Sequence, residues 1–293
     1  MFAAWRTMLV IAVLAGGPLR LSGTVQWHDV TAGQSLTSLG ARFGVEASTL
    51  ASDNGLRSGA PIEPGQFLLV DNRHIVPTAA QDGVVINVPQ RMLFVLRDGR
   101  LLGSFPIAVG RADWPTPIGR FQVRTKETDP TWDVPESIQQ EMAAAGKQVV
   151  LKVPPGPDNP LGSHYLGLTA NSVGIHGTNV PTSIYRFTTH GCIRLHPDDA
   201  AALFALVEVG TSVEIIYEPV LVTRLVSGEV LVEVHRDPYK RGSTTVAAVE
   251  RLLAQAGAGE LVGSDDVKRI VKARTGRASL VPSQMSGRAN ETP

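Results

Sequence analysis

The chain has 293 residues, 43% hydrophobic and 18% charged, which is room for a sizeable core and for two domains or one with extensions. Its 27 basic and 27 acidic residues cancel, so nothing electrostatic favours nucleic acid or an anionic membrane surface. Cys192 is the only cysteine, which excludes a disulfide within one chain and leaves stability to packing.

Arg6 precedes an apolar run from Met8 to Leu14, and Ala15, Gly16 and Gly17 follow. That is the pattern of a secretory signal peptide, which we assign to residues 1–23. The plainer alternative is a buried N-terminal helix. The run is too short to cross a bilayer, and no later segment approaches eighteen apolar residues, so no stable membrane span is expected.

Residues 24–76 read as a small βααβ unit. Leu36, Leu39 and Phe43 recur at helical spacing, and Ser35 stands where an N-cap belongs. A second short helix is expected over 46–52, and Pro64-Gly65 turns the chain into a strand ending near Val70. At Gly33, Leu36, Phe43-Gly44-Val45, Asn54 and Pro64-Gly65-Gln66 this stretch resembles a LysM module, with His28 where an aromatic is usual. The resemblance implies binding to the N-acetylglucosamine-containing glycan of peptidoglycan; a plain packing domain is the bland alternative.

Polar and small residues at 77–83 mark a domain boundary. From 83 to 217, β-branched and apolar runs recur about every ten residues, with an Asp98-Gly99 hairpin turn, which favours a sandwich or barrel over a parallel sheet. We expect a mainly β, β-sandwich-like domain with few helices. Trp114-Pro115-Thr116-Pro117-Ile118-Gly119 reads locally as a structural turn. Asp133 followed by Glu136 is a capping-box pattern opening a helix that Gly146 ends. The four prolines between Val153 and Gly162 make a stiff loop suited to a lid or binding wall.

The chemistry concentrates at Thr189-His190-Gly191-Cys192-Ile193-Arg194-Leu195 and at Gly174-Ile175-His176-Gly177-Thr178-Asn179. A thiol nucleophile needs a deprotonated sulfur, a proton shuttle and donors for an oxyanion. His176 and His190 both qualify as the shuttle; Gly191 opens the backbone, and Arg194 suits a substrate carboxylate. A helix expected after His196 would favour thiolate at Cys192. The competing readings are a buried, inert cysteine and a zinc site on Cys192, His176, His190 and His196, whose spacing matches no familiar zinc pattern.

Taken together, these two motifs, the fifteen residues between His176 and Cys192, Asn87-Val88-Pro89, Trp114 to Gly119 and Pro157-Asp158-Asn159-Pro160 resemble the L,D-transpeptidase catalytic domain over residues 83–217. The module order, Pro130-Thr131-Trp132 and Pro154-Pro155-Gly156 resemble the subgroup that attaches the Braun lipoprotein. The resemblance implies Cys192 as nucleophile and His176 as general base or acid, oriented by the Gly177 carbonyl. His190, Gly191 and Thr189 would line or support the oxyanion region, and Arg194 would position the donor stem. It implies no metal or organic cofactor, and as partners peptidoglycan glycan, stem peptides and an amine acceptor such as an outer-membrane lipoprotein, in the periplasm. Its reaction is acyl transfer from a tetrapeptide stem through a cysteine thioester; hydrolysis of the same bond or of protein links, or non-catalytic wall binding, are the alternatives. Residues 218–241 read as a hairpin extending the sheet, and 242–293 as two helices and a tail, disordered from Arg277, with no functional reading.

Overall fold

The structure, a computed structural model, describes residues 21–77, 82–170 and 173–281. The signal-peptide assignment therefore lies, apart from residues 21–23, outside the described residues, as do most of the 77–83 boundary and the last twelve residues of the tail, 282–293.

The N-terminal unit contains β1 (Leu21–Ser22), β2 (Val25–Asp29), α1 (Leu36–Phe43), α2 (Ala47–Asp53), β3 (Phe67–Asp71) and β4 (His74–Ile75). Two antiparallel pairs, β2 with β3 and β1 with β4, bring its ends together. Ser35 caps α1 in a reciprocal box with Ser38, and Gly44 ends it in the left-handed conformation at φ 71°. Leu36, Leu39, Leu50, Leu68 and Val70 fill the core between helices and strands. Asn54 staples α2 to β3, accepting from Leu69 N at 2.7 Å and donating to Leu50 and Leu69 carbonyls. His28 takes the aromatic's place by packing edge-on to Phe43, ring centres 5.3 Å apart.

The central unit runs through β5 (Gly83–Asn87), β6 (Met92–Arg97), β7 (Arg100–Gly110), β8 (Gly119–Thr128), β9 (Trp132–Asp133), α3 (Glu136–Ala144), β10 (Lys152–Val153), β11 (His164–Leu168), β12 (Gly174–His176), β13 (Phe187–Thr189), β14 (Ile193–Leu195), α4 (Pro197–Leu206) and β15 (Ser212–Ile216). Its main sheet has the order β7-β14-β12-β11-β8-β15-β5-β6, and β6 pairs back onto β7. The expected sandwich is therefore corrected to a closed eight-stranded barrel. It is mixed: β12–β14 and β15–β5 are parallel. The cause of closure is the length of β7, whose residues 100–106 pair with β6 while Ile107 and Ala108 pair with β14. One strand thus joins both ends of the sheet and removes its open edges. β13 adds in parallel along the end of β7.

Ile86, Leu93, Ile107, Leu166, Ile175, Ile193 and Ile215 point into the barrel, joined by Ala200 and Leu203 of α4. The opposite faces of β5 to β7 are covered as well, by Ala41 of α1, Val76, Ile184 and Tyr185. Burial on both faces is why Met92 to Leu96 is apolar without alternation. The expected capping box at Asp133 does not form. Asp133 lies in β9, paired with β10 and bridged to Lys152 at 2.7 Å, and Pro135 is the N-cap of α3 with no side-chain cap bond. α3 buries none of its residues.

The hairpin β16 (Val220–Arg224) and β17 (Val230–Val234) does not extend the barrel, as the sequence reading expected. With β18 (Ser279–Val281) it forms a separate antiparallel sheet, whose core of Val230, Val232 and Val234 is shared with Val249 and Leu253 of α5 (Val246–Gln255) and Val267 of α6 (Ser264–Ala273). The disorder expected from Arg277 is corrected for residues 277–281: Arg277 bonds Asp53 at 2.9 Å, and β18 begins two residues later; the rest of that expectation lies outside the described residues.

One buried carboxylate joins the three parts. Glu233 of β17 receives His74 Nδ1 at 2.7 Å, His235 Nε2 at 2.8 Å, Gln90 Nε2 at 2.9 Å and the Ile75 N–H at 2.6 Å. The second nitrogen of His74 faces the Gly44 carbonyl at 2.9 Å, so a doubly protonated ring satisfies both of its acceptors. Burial raises the Glu233 carboxyl, but the His74 charge and the hydrogen bonds from His235 and His74 outweigh it and hold it at about 2. A carboxyl depressed in the folded state stabilises fully above its unfolded value and loses that contribution as pH falls through the folded one. Stability should therefore fall on acidification from about pH 4.5 towards about 2. Glu233→Ala should cost about 3–5 kcal/mol in urea unfolding, because it strands buried donors and a cation, and should flatten this acid limb.

Candidate active site

The site lies on the outer face of the barrel, across β11, β12 and β14. Register sets Tyr165 beside His176 and His176 beside Arg194. Their chain neighbours Leu166, Ile175 and Ile193 point the other way into the core. Cys192, two residues before Arg194, falls on the same side as Arg194, opposite Gly174, whose N–H donates to the thiol. Gly174 must lack a side chain, since a Cβ there would meet the Tyr165 ring at 2.5 Å.

The Nδ1–H of buried His176 donates to its neighbour's carbonyl, Gly177 O, at 2.7 Å. That fixes the tautomer and leaves Nε2 as the acceptor for a proton. Burial, reinforced by the nearby Arg194 charge and opposed by the Gly177 bond, lowers the imidazole to about 4. Burial pushes the Cys192 thiol up, against the downward pull of the Gly174 N–H and of Arg194. The resting pair is therefore neutral thiol and neutral imidazole. The expected helix-stabilised thiolate is corrected: β14 stands between Cys192 and α4, whose N-cap is His196.

The loop before Cys192 is held at three points. Thr189 Oγ1 donates to Cys192 O at 2.6 Å. Thr116, fully buried, accepts from Gly110 N–H and donates to Gly191 O, both at 2.9 Å. Gly191 itself has φ 102°, a conformation open to glycine. In a planar trans peptide the N–H lies opposite the carbonyl, so Thr116 also turns the Cys192 N–H away from itself. Tyr239 completes the grip by donating to Gly110 O at 2.6 Å and accepting from Thr116 N at 3.1 Å.

His190 is engaged by two other side chains. Its Nε2 meets Glu141 of α3 at 2.8 Å, and its ring stands edge-on to Trp114 at 4.5 Å. Glu141 also receives Arg111 at 3.2 Å, so the exposed α3 arm is latched to the cysteine loop through one carboxylate. Arg194 donates from Nη1 to Ser183 Oγ at 3.1 Å. Sequence reading missed Thr116, Tyr165, Ser183, Glu141 and Tyr239. Only Thr116 carried a local signal, the flanking prolines; the others act across long sequence separations. No group of three or more His, Cys, Asp or Glu is arranged to hold a metal among the described residues.

A half-buried thiol, a tautomer-fixed imidazole and an ordered backbone N–H on a barrel wall define a cysteine acyl-transfer centre. Residues 81–215 match the YkuD family, the L,D-transpeptidase catalytic domain, and residues 28–71 match the LysM domain. The chain is 33% identical to the probable L,D-transpeptidase ErfK/SrfK of Escherichia coli over 82% of its own length and 78% of that protein. It is 34% identical to the probable L,D-transpeptidase YbiS of the same organism, over 79% and 75%. Mycobacterium tuberculosis L,D-transpeptidase 1 aligns in structure over 45% of this chain and 60% of that one, with 26% identity and a TM-score of 0.34. The chain belongs to the L,D-transpeptidase family of cysteine transpeptidases, with an N-terminal LysM domain.

Alkylation of Cys192 by iodoacetamide should climb with pH and show no plateau below the ordinary thiol value of about 8.5. The His176 ring resonances should not move between neutral pH and the neighbourhood of about 4. A thiolate plateau at neutral pH would contradict the neutral resting pair.

Proposed function

We propose that the chain is an exported peptidoglycan L,D-transpeptidase that acts on tetrapeptide stems. The observation that carries the reading is His176, its Nδ1 committed to Gly177 O at 2.7 Å and its strand neighbour to that of Cys192. As Cys192 Sγ attacks the carbonyl between the L-centre of diaminopimelate and terminal D-alanine, its proton passes to His176 Nε2. The C–N bond breaks, His176 protonates the departing amine, and a thioester remains. An acceptor amine then attacks the thioester, gives its proton to His176 and frees the thiol. One amide replaces another, so no activation by nucleotide is required.

The Cys192 N–H serves the developing oxyanion, with Gly191, Thr189 and Gly177 setting the backbone and His190 supporting the rim. Arg194 takes a stem carboxylate. The LysM domain holds the glycan, and the prolines between Val153 and Gly162 together with α3 form a wall over the cleft. The signal-peptide pattern at 1–23 and a peptidoglycan substrate both support a periplasmic location. The acceptor is a lipoprotein lysine, another protein amine or diaminopimelate.

Incubation with tetrapeptide stems should release D-alanine and leave a stem adduct on Cys192 by mass spectrometry; Cys192→Ala should do neither, and undiminished release by that variant would end the proposal. Thr116→Val should remain folded yet acylate about tenfold to a hundredfold more slowly, less than the roughly hundredfold to thousandfold of a lost oxyanion donor because the Cys192 N–H is misaimed rather than removed.

A further inference from the structure

Arg194 is a half-buried arginine with few commitments. Burial works against its charge, and a thiolate at Cys192, once formed, acts in its favour. Its Nε is buried and meets no acceptor among the described residues. A long side chain of this kind loses considerable rotamer freedom when it is held in one direction. What holds it is a neutral hydroxyl.

Ser183 Oγ accepts Arg194 Nη1 at 3.1 Å and donates its own proton to Val180 O at 2.6 Å. A hydroxyl has one hydrogen and two lone pairs, so the bond to Val180 turns a lone pair towards the guanidinium. The turn at Pro181–Ser183 that carries this serine is itself fixed. Ser183 N donates to Val180 O, Ile184 N to Pro181 O, and Val180 N to Thr178 Oγ1 at 3.0 Å. Helix α1 of the LysM domain packs against the same turn, and the next residue, Ile184, is fully buried beneath β6 and β7. The acceptor is therefore rigid, oriented and backed from outside the barrel.

We propose that Ser183 is a positioning residue: its hydroxyl, aimed by the Val180 carbonyl, holds the Arg194 guanidinium on the face shared with Cys192 and His176. The inference rests on the reading of Cys192 as the reacting group, but its test does not need turnover.

The experiment measures alkylation of Cys192 against pH in the full-length protein, for Ser183→Ala and Ser183→Thr, each alone and with Arg194→Ala. Untethered, Arg194 loses part of its pull on the thiol. Ser183→Ala should then shift the alkylation profile to higher pH by about half a unit to one unit, a threefold to tenfold slower reaction at neutral pH, since rate follows thiolate fraction. Ser183→Thr, which keeps the hydroxyl, should restore the profile. In the Arg194→Ala background Ser183→Ala should produce no further shift. With stem substrates, KM should rise more than kcat falls. An unshifted Ser183→Ala profile, an equal shift with Arg194 absent, or failure of threonine to rescue a variant whose melting temperature is unchanged would each overturn the proposal. Normal alkylation shifts without D-alanine release would fault the transpeptidase reading and leave the role of Ser183 standing.

Discussion

The carboxylate of Glu233 is the constraint on which the assembly depends. It lies on β17, yet its donors come from β4 of the LysM domain and from the β5–β6 turn of the barrel as well as from its own strand. A buried anion is tolerable only where charge and hydrogen bonds replace water, and here those replacements are drawn from all three parts of the chain. Arg91, bonded to Glu46, and Arg42, bonded to Asp199, tie the N-terminal unit to the barrel, each at 2.8 Å and each with one buried partner. The three units are thus one packed body around an ionic centre, rather than modules on a string.

The site inherits that rigidity. Its reactive groups sit on strands whose reverse faces are core, and its backbone is held by residues from well outside the motif: Thr116 from the β7–β8 loop, Tyr239 from beyond β17 and Ser183 from the turn under α1. Such support lowers the reorganisation required when charge develops. It also explains why the thiol can rest protonated. The imidazole that would receive its proton is fixed in the accepting tautomer, so the ion pair can form when substrate excludes water.

Much of this was legible in the sequence. Strands, hairpin turn, LysM helices and their caps follow from periodicity and capping residues, and Cys192 and His176 stand out by type and spacing. Three things were not legible. Barrel closure depends on one strand pairing at both ends, which alternation cannot report. The capping box at Asp133 was overridden because its backbone is claimed by pairing with β10. The surroundings of His190 and Arg194 come from Glu141, forty-nine residues away, and Ser183, eleven away, by contacts no local pattern encodes. Thiolate promotion by α4 failed for a simpler reason: a three-residue strand separates the sulfur from the helix end.

The buried tie between β4 and β17 has a consequence for how a polymer is read. A LysM domain on a flexible tether would only raise the local concentration of wall material near the cysteine. Clamped as it is, the domain keeps a constant distance and angle to Cys192. Under the function proposed above, a glycan strand held there would present its peptides at the pitch of its own sugar repeat, and only those in phase with the cleft would reach the sulfur. The fixed spacing would then act as a gauge, selecting stems by their position along the strand as well as by their chemistry.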